Sequence, residues 1–246
     1  MASRMHETGD ILDDRKGFAA LVGAGGAGQS AATRTLESLR RRIIGLELAP
    51  DTVLSRIDLA RQYDISQTPL REALQRLEAE GLVEIYPQSR TVVTRIDTAR
   101  IYEAHFLRIA VETETLRRLA VTCDDATLNR LKMIVTLQEA LATNPSEIPA
   151  FQELDEVFHQ TLLAAVGQPG LHALLRSRSG HLNRVRRLDM PGEGKIARIL
   201  QGHRDIIAAL QAHDPDAAQA AIREHLSQTV SKVDALRNQY PSYFRA

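Results

Sequence analysis

Apolar positions first recur at helical spacing at Leu36, Leu39, Ile43 and Ile44, with Arg40, Arg41 and Arg42 between them. Gly45 ends that helix. A second helix is predicted in L-S-R-I-D-L-A-R-Q-Y-D-I. Ser55 is an N-cap candidate with Asp58 three residues on, Leu59 and Ala60 face inward, and the helix is over by Asp64. A third follows in I-S-Q-T-P-L-R-E-A-L-Q-R-L-E-A-E-G-L. Ser66 is its expected cap, and Pro69 falls in the first turn, where amides lack internal partners. Leu70, Ala73, Leu74 and Leu77 form its buried stripe, and Gly81 stops it. Then L-V-E-I-Y, P-Q-S-R and T-V-V-T-R-I read as two β-rich runs around a four-residue turn. A hairpin after a helix-turn-helix is a wing.

From about Asp97 to Asn238 no further strand pattern occurs. Six amphipathic segments are broken at Asp124-Asp125, Asn144-Pro145, Gly167 to Gly170, Met190-Pro191-Gly192 and His213-Asp214-Pro215. Short links favour antiparallel packing. The expected fold is mostly α: a leader over 1–30, a winged helix-turn-helix over 31–96, and an antiparallel six-helix bundle over 97–240.

Composition supports the helical reading. Hydrophobic residues make up 43% of the 246, aromatics only 4%, and tryptophan is absent. Thirty-one basic and 31 acidic residues cancel, so any field that attracts a polyanion must be local. A single cysteine, Cys123, excludes an intrachain disulfide and fits a reducing compartment. No apolar run approaches the ~20 residues of a membrane span. The first residues are too acidic and polar for a secretory signal. A cytoplasmic protein with no membrane contact is expected.

The leader is polar, then rich in glycine and alanine, and is expected to be flexible. Gly23, Gly25 and Gly28 fit the dinucleotide fingerprint G-x-G-x-x-G, with Ala19 to Val22 as a short strand and Glu47 as the ribose acid. That fold needs several parallel strands, and the pattern offers no sheet for this strand to join.

The third helix suits a DNA groove. A recognition helix enters N-terminus first, and Ser66, Gln67, Thr68 and Arg71 occupy that end. Gln67 suits adenine and Arg71 a guanine or a phosphate. Arg56 starts the preceding helix and Arg90 tips the wing. Residues 33–95 hold ten arginines, nine acids and no lysine, so binding would depend on placement. The same pattern also fits a protein-binding helical module with solvated arginines. The stretch I-S-Q-T-P-L-R-E-A-L-Q-R-L-E-A-E-G-L-V-E-I-Y-P-Q, with A-P-D-T-V-L-S-R-I-D-L-A-R-Q-Y before it, resembles the winged helix of the GntR family of bacterial transcription regulators. The remainder is similar to the FCD effector domain of its FadR branch, over about 33–236 together. Three positions depart from the usual pattern: Gln67 for arginine, Ser89-Arg90 for Arg-Gly, and Asp51 for glycine.

In the second half, Asp155 and His159 share a helix face with Leu162 and Val166. His203 lies with Ile207 and Leu210, and His225 with Ile222 and Thr229. Imidazoles on apolar stripes need partners. Three separately hydrogen-bonded core histidines would satisfy them, and so would one divalent ion such as zinc or nickel. The resemblance implies the ion. Asp155, His159, His203 and His225 match the FCD ligand positions, with zinc favoured and nickel or manganese as alternatives.

It further implies a homodimer on an inverted-repeat duplex, and a small carboxylate effector at the ion. Arg108 matches an arginine that faces that ligand; a surface salt bridge with Glu112 is its other reading. Asn183 and Arg184 would line the same pocket, and His181 is a further contact candidate. His105, His172 and His213 read as surface or boundary residues. A metal-dependent hydrolase is the rival function. It lacks a placed general base, since Glu156 and Glu224 adjoin ligands and should project away. The expectation is a regulator, not an enzyme.

Overall fold

The computed structural model describes residues 29–87, 90–190 and 194–245. The glycine fingerprint at 23, 25 and 28, the strand at 19–22 and the wing-tip pair Gln88-Ser89 lie outside them. Glu47 sits in a turn and pairs with Arg42 at 2.7 Å.

The winged half comprises α1 (Ala31–Ile44), β1 (Val53–Leu54), α2 (Arg56–Tyr63), α3 (Gln67–Ala79), β2 (Val83–Ile85) and β3 (Thr91–Val93). Ser30 caps α1 by accepting from the Thr33 amide at 3.1 Å, and Ser55 caps α2 by accepting from Asp58 at 3.2 Å. Leu36, Leu39, Ile43, Leu70, Leu74 and Leu77 close over one another as the core. The sheet is antiparallel in the order β1-β3-β2, with Val53 opposite Val92 and Val83 opposite Val93. Strand β1 went unread in the sequence because two residues are too short to show a period.

Ser66 holds the N-cap position of α3 in extended conformation, but its hydroxyl makes no capping bond. This corrects the expected cap and leaves that hydroxyl exposed. At the other end Gly81 has φ +75°. Its amide bonds Glu78 O at 2.8 Å and Leu82's bonds Leu77 O at 2.9 Å, the paired closure a left-handed residue allows. Asp51 also has positive φ, 66°, which explains why glycine is usual there. Aspartate is among the few residues that tolerate it, and its carboxylate bonds Arg95 at 2.8 Å.

The helical half comprises α4 (Thr98–Thr122), α5 (Asp125–Leu141), α6 (Ile148–Ala165), α7 (Pro169–Arg178), α8 (Gly180–Asp189), α9 (Lys195–Gln211), α10 (Pro215–Val230) and α11 (Val233–Gln239). Two of the six predicted segments are therefore divided among the described residues. The break between α7 and α8 is tertiary in origin. Ser179 Oγ turns back to Leu175 O at 2.7 Å, and Leu82 presses on Gly180, where a Cβ would sit 2.7 Å from its Cδ2. The core runs through Leu116, Leu131, Phe151, Phe158, Ile206 and Ile222. Buried Cys123 is free at the C-terminal end of α4. A third apolar cluster packs Ile96 and Ile101 with Leu182, Val185, Val233 and Phe244. No described helix is long and apolar enough to cross a membrane.

Candidate metal centre and nucleic-acid interface

Helix α6 contributes Asp155 and His159, one turn apart and both facing inward. His203 comes from α9 and His225 from α10, and all four are buried. One ligand atom from each lies within 4.8 Å of every other. Those atoms, Asp155 Oδ1, His159 Nε2, His203 Nε2 and His225 Nδ1, are buried with no hydrogen-bond partner. Orphaned buried polar atoms are rare and costly, and one shared partner could satisfy all four. Three nitrogens and one carboxylate oxygen are the donor set of a borderline divalent ion.

Outer contacts fix the rings. His159 Nδ1 lies 2.5 Å from Glu112 Oε2 and His203 Nδ1 lies 2.8 Å from Gln138 Oε1, so each ring donates outward and turns a lone pair inward. Arg186 holds the other oxygen of Asp155. His203 also stacks on Phe158, with ring centroids 3.9 Å apart. Charge states agree. Burial pushes His203 down to about 3 and His225 well below the imidazole range. Burial alone would raise Asp155, but the Arg186 guanidinium outweighs it and holds the carboxyl well below its ordinary value. Neutral imidazoles and an ionised carboxylate are the forms that ligate.

Gly202 belongs to this centre and was not read from the sequence. A Cβ there would lie 2.6 Å from His225 Nδ1. Gly202→Ala should favour the helix by about 1 kcal/mol on propensity alone. It should nonetheless weaken zinc binding by roughly 10–100-fold, the scale of a displaced ligand support. Chelator competition measures this, with Gly170→Ala, which meets open space, as the neutral control. Equal affinities in both variants would contradict the placement.

A narrow cleft adjoins His225, lined by His105, Arg108, Arg186, Lys195, Ile199 and Thr229 among others. Arg108 is buried there and donates to Glu112 Oε1 at 2.7 Å, an interior pair and not the surface salt bridge of its other reading. His105 lines the cleft instead of lying at a boundary. On α8 it is Leu182 and Arg186 that face the cleft. Asn183 stands behind them, donating to Glu156 Oε1 at 3.4 Å. Arg184 is corrected outright: it points to the opposite side and donates to Thr94 O at 2.5 Å. His181 follows it, accepting from the Asp97 amide at 2.9 Å. Spacing could not separate Arg184 from Arg186, because α8 is buried on both sides. Glu156 meets Arg186 at 3.6 Å and His172 at 3.5 Å, while Glu224 is exposed.

Burial, then the Arg184 and Arg100 charges, push His181 down to about 3. Between pH 6.5 and about 3 the unfolded chain carries a proton on this ring that the folded chain refuses, so the contribution of His181 falls as pH falls. At pH 5 the loss is up to about 2 kcal/mol. Urea titrations at pH 7 and 5 should show a smaller drop in His181→Gln than in wild type; equal drops would contradict the assignment.

On the winged half, Ser66, Gln67, Thr68 and Arg71 are all exposed at the N-terminal end of α3, with Gln67 and Arg71 one turn apart. Among the described residues Arg71 has no ion-pair partner. Arg56 is half-buried, and Arg90 is exposed, its guanidinium 5.1 Å from the Tyr86 ring centroid. Other arginines of this half serve the fold. Arg40 bonds Glu80 at 2.7 Å, and Arg95 bonds Asp51.

The family model for bacterial regulatory proteins of the gntR family matches residues 31–93, and the FCD domain model matches 101–228. This chain belongs to the GntR family. It is 34% identical over 206 residues to an uncharacterised HTH-type transcriptional regulator in an unstable DNA locus of Streptomyces ambofaciens, covering 84% of this chain and 86% of that one. It is 29% identical to the HTH-type transcriptional repressor RspR of Escherichia coli K12, covering 84% and 90%. Its fold is that of E. coli McbR/YncC, with TM-score 0.71 and 20% identity over 87% of this chain and all of that one. The protein is thus a GntR-type DNA-binding transcription regulator with an FCD domain, and its relatives are regulators, not enzymes.

Proposed function

We propose that this GntR regulator holds a divalent ion, zinc before nickel or manganese, at Asp155, His159, His203 and His225. A small carboxylate bound beside it sets operator affinity. The observation that carries this reading is the convergence of four orphaned ligand atoms beside a cleft bearing Arg108, Arg186 and Lys195. When bound, the ion would supply a Lewis-acidic point with room for one more oxygen donor. Around it, guanidinium forks match carboxylate geometry, and Leu182, Ile199 and Leu226 exclude water from the rest of the ligand.

The exposed tip of α3, with Arg56 and Arg90 flanking it, is the proposed duplex contact. Two-fold operators are read by two-fold proteins, so the chain is proposed to act as a homodimer on an inverted repeat. Access to DNA and a lone free thiol favour a cytoplasmic location. The acid can shift DNA binding only as far as it prefers one arrangement of the dimer. Native mass spectrometry of the purified protein tests the assembly, with a dimer carrying ion and acid expected. A metal-free monomer that still binds selected duplexes would refute it.

A further inference from the structure

Residues 94–97 join the two halves, and Thr94, Ile96 and Asp97 bond to protein partners. Arg184 Nη1 donates to Thr94 O at 2.5 Å, and its Nη2 reaches Thr94 Oγ1 at 3.3 Å. The Thr94 hydroxyl donates to Gly81 O at 2.7 Å. The Ile96 amide donates to Tyr243 O, and the Arg245 amide to Ile96 O, each at 2.8 Å. The Asp97 amide donates to His181 Nδ1, leaving Nε2 to donate to Gly81 O at 3.1 Å. Connectors between domains usually bond to water. This one, with the glycine that terminates the recognition helix, is clamped by α8 and the C-terminal tail.

The same α8 reaches the metal centre. Arg186 lies two residues past Arg184, hence on nearly the opposite side of the helix. It grips the Asp155 carboxylate, and Leu182 lines the cleft one turn before it. Ten residues therefore touch the candidate ion site on one side and the DNA-binding half on the other. Arg184 is wholly buried and spends its charge on the Thr94 carbonyl and hydroxyl and on His181 Nδ1 at 3.0 Å, with no carboxylate partner among the described residues. A salt bridge for stability would have placed an acid there.

We propose that Arg184 and His181 are coupling residues: they hand any shift of α8, set through Arg186 at the metal centre, to the linker and to the C-terminal end of the recognition helix. The proposal rests on the reading of the metal centre as the modulating site. The measurement uses zinc alone as probe and a duplex selected from genomic fragments by the wild-type protein.

In wild type, loading zinc should change duplex affinity by about 5–150-fold, the usual span of coupling between sites. In Arg184→Gln and His181→Gln, zinc affinity should stay within about twofold of wild type, as for sites sharing no partner, and the change in duplex affinity should vanish. Thr94→Val removes only the hydroxyl bridging Arg184 and Gly81, and serves if the buried arginine proves necessary for folding; its response to zinc should fall too. A full zinc response in the variants, or in Thr94→Val alone, overturns the coupling role and leaves the metal reading intact. No response to zinc in wild type, with zinc bound, overturns the coupling role and leaves the reading of the ion as an anchor for the acid intact.

Discussion

Stripping the metal should lower the thermal unfolding midpoint by about 8–16 °C. An ion present at a thousand times its dissociation constant stabilises the fold by about 4 kcal/mol, and a chain of this size shifts by about 2–4 °C per kcal/mol. The direction follows from burial. Without an ion, the ligand atoms of Asp155, His159, His203 and His225 are left with nothing to bond in the interior. The loss should reverse on adding zinc. His203→Ala should abolish the reversal, since it removes a ring that is a candidate ligand and stacks on Phe158. Scanning calorimetry with a strong chelator checks this. A midpoint indifferent to chelator, in protein shown to contain metal beforehand, would mean the ion is held elsewhere.

Arg71→Ala should cost duplex affinity about 30-fold to 10⁴-fold in a dimer. One lost base or phosphate contact costs about 1–3 kcal/mol, the substitution removes two by symmetry, and 1.4 kcal/mol is tenfold. The mechanism shows in the salt dependence. A lost phosphate contact flattens the salt slope by about one unit per site, whereas a lost guanine contact leaves the slope and relaxes sequence preference. Stability should be nearly unchanged, within about 0.5 kcal/mol, because the side chain is exposed. Arg95→Ala is the informative contrast, since Arg95 is engaged with Asp51 and should matter less for DNA. Equal losses at both positions would show that general positive charge, not the helix tip, makes the contact.

Much of this was legible in the sequence for identifiable reasons. The helices of both halves follow apolar periodicity, and the four candidate ligands fall on those stripes, where a polar side chain needs explanation. What the sequence could not show was set in three dimensions. The two residues of β1 carry no period. The break at Ser179 depends on Leu82 arriving from the other half. Once α8 starts at Gly180, the order of Arg184 and Arg186 around it decides which faces metal and which faces linker, and R-V-R-R offers no means to choose. Gly202 read as an ordinary tolerated helix glycine, because the ring it makes room for lies 23 residues away on α10. Glu112 and Gln138 orient imidazoles from helices that sequence spacing cannot bring together.

Quantifying bound metal in freshly purified protein, beside the Asp155→Ala and His203→Ala variants, bears most directly on the sensing half. Close to one divalent ion per chain in wild type, falling to a small fraction in both variants while their helical spectra persist, is the outcome the geometry requires. Folded variants that retain as much metal as wild type would contradict it.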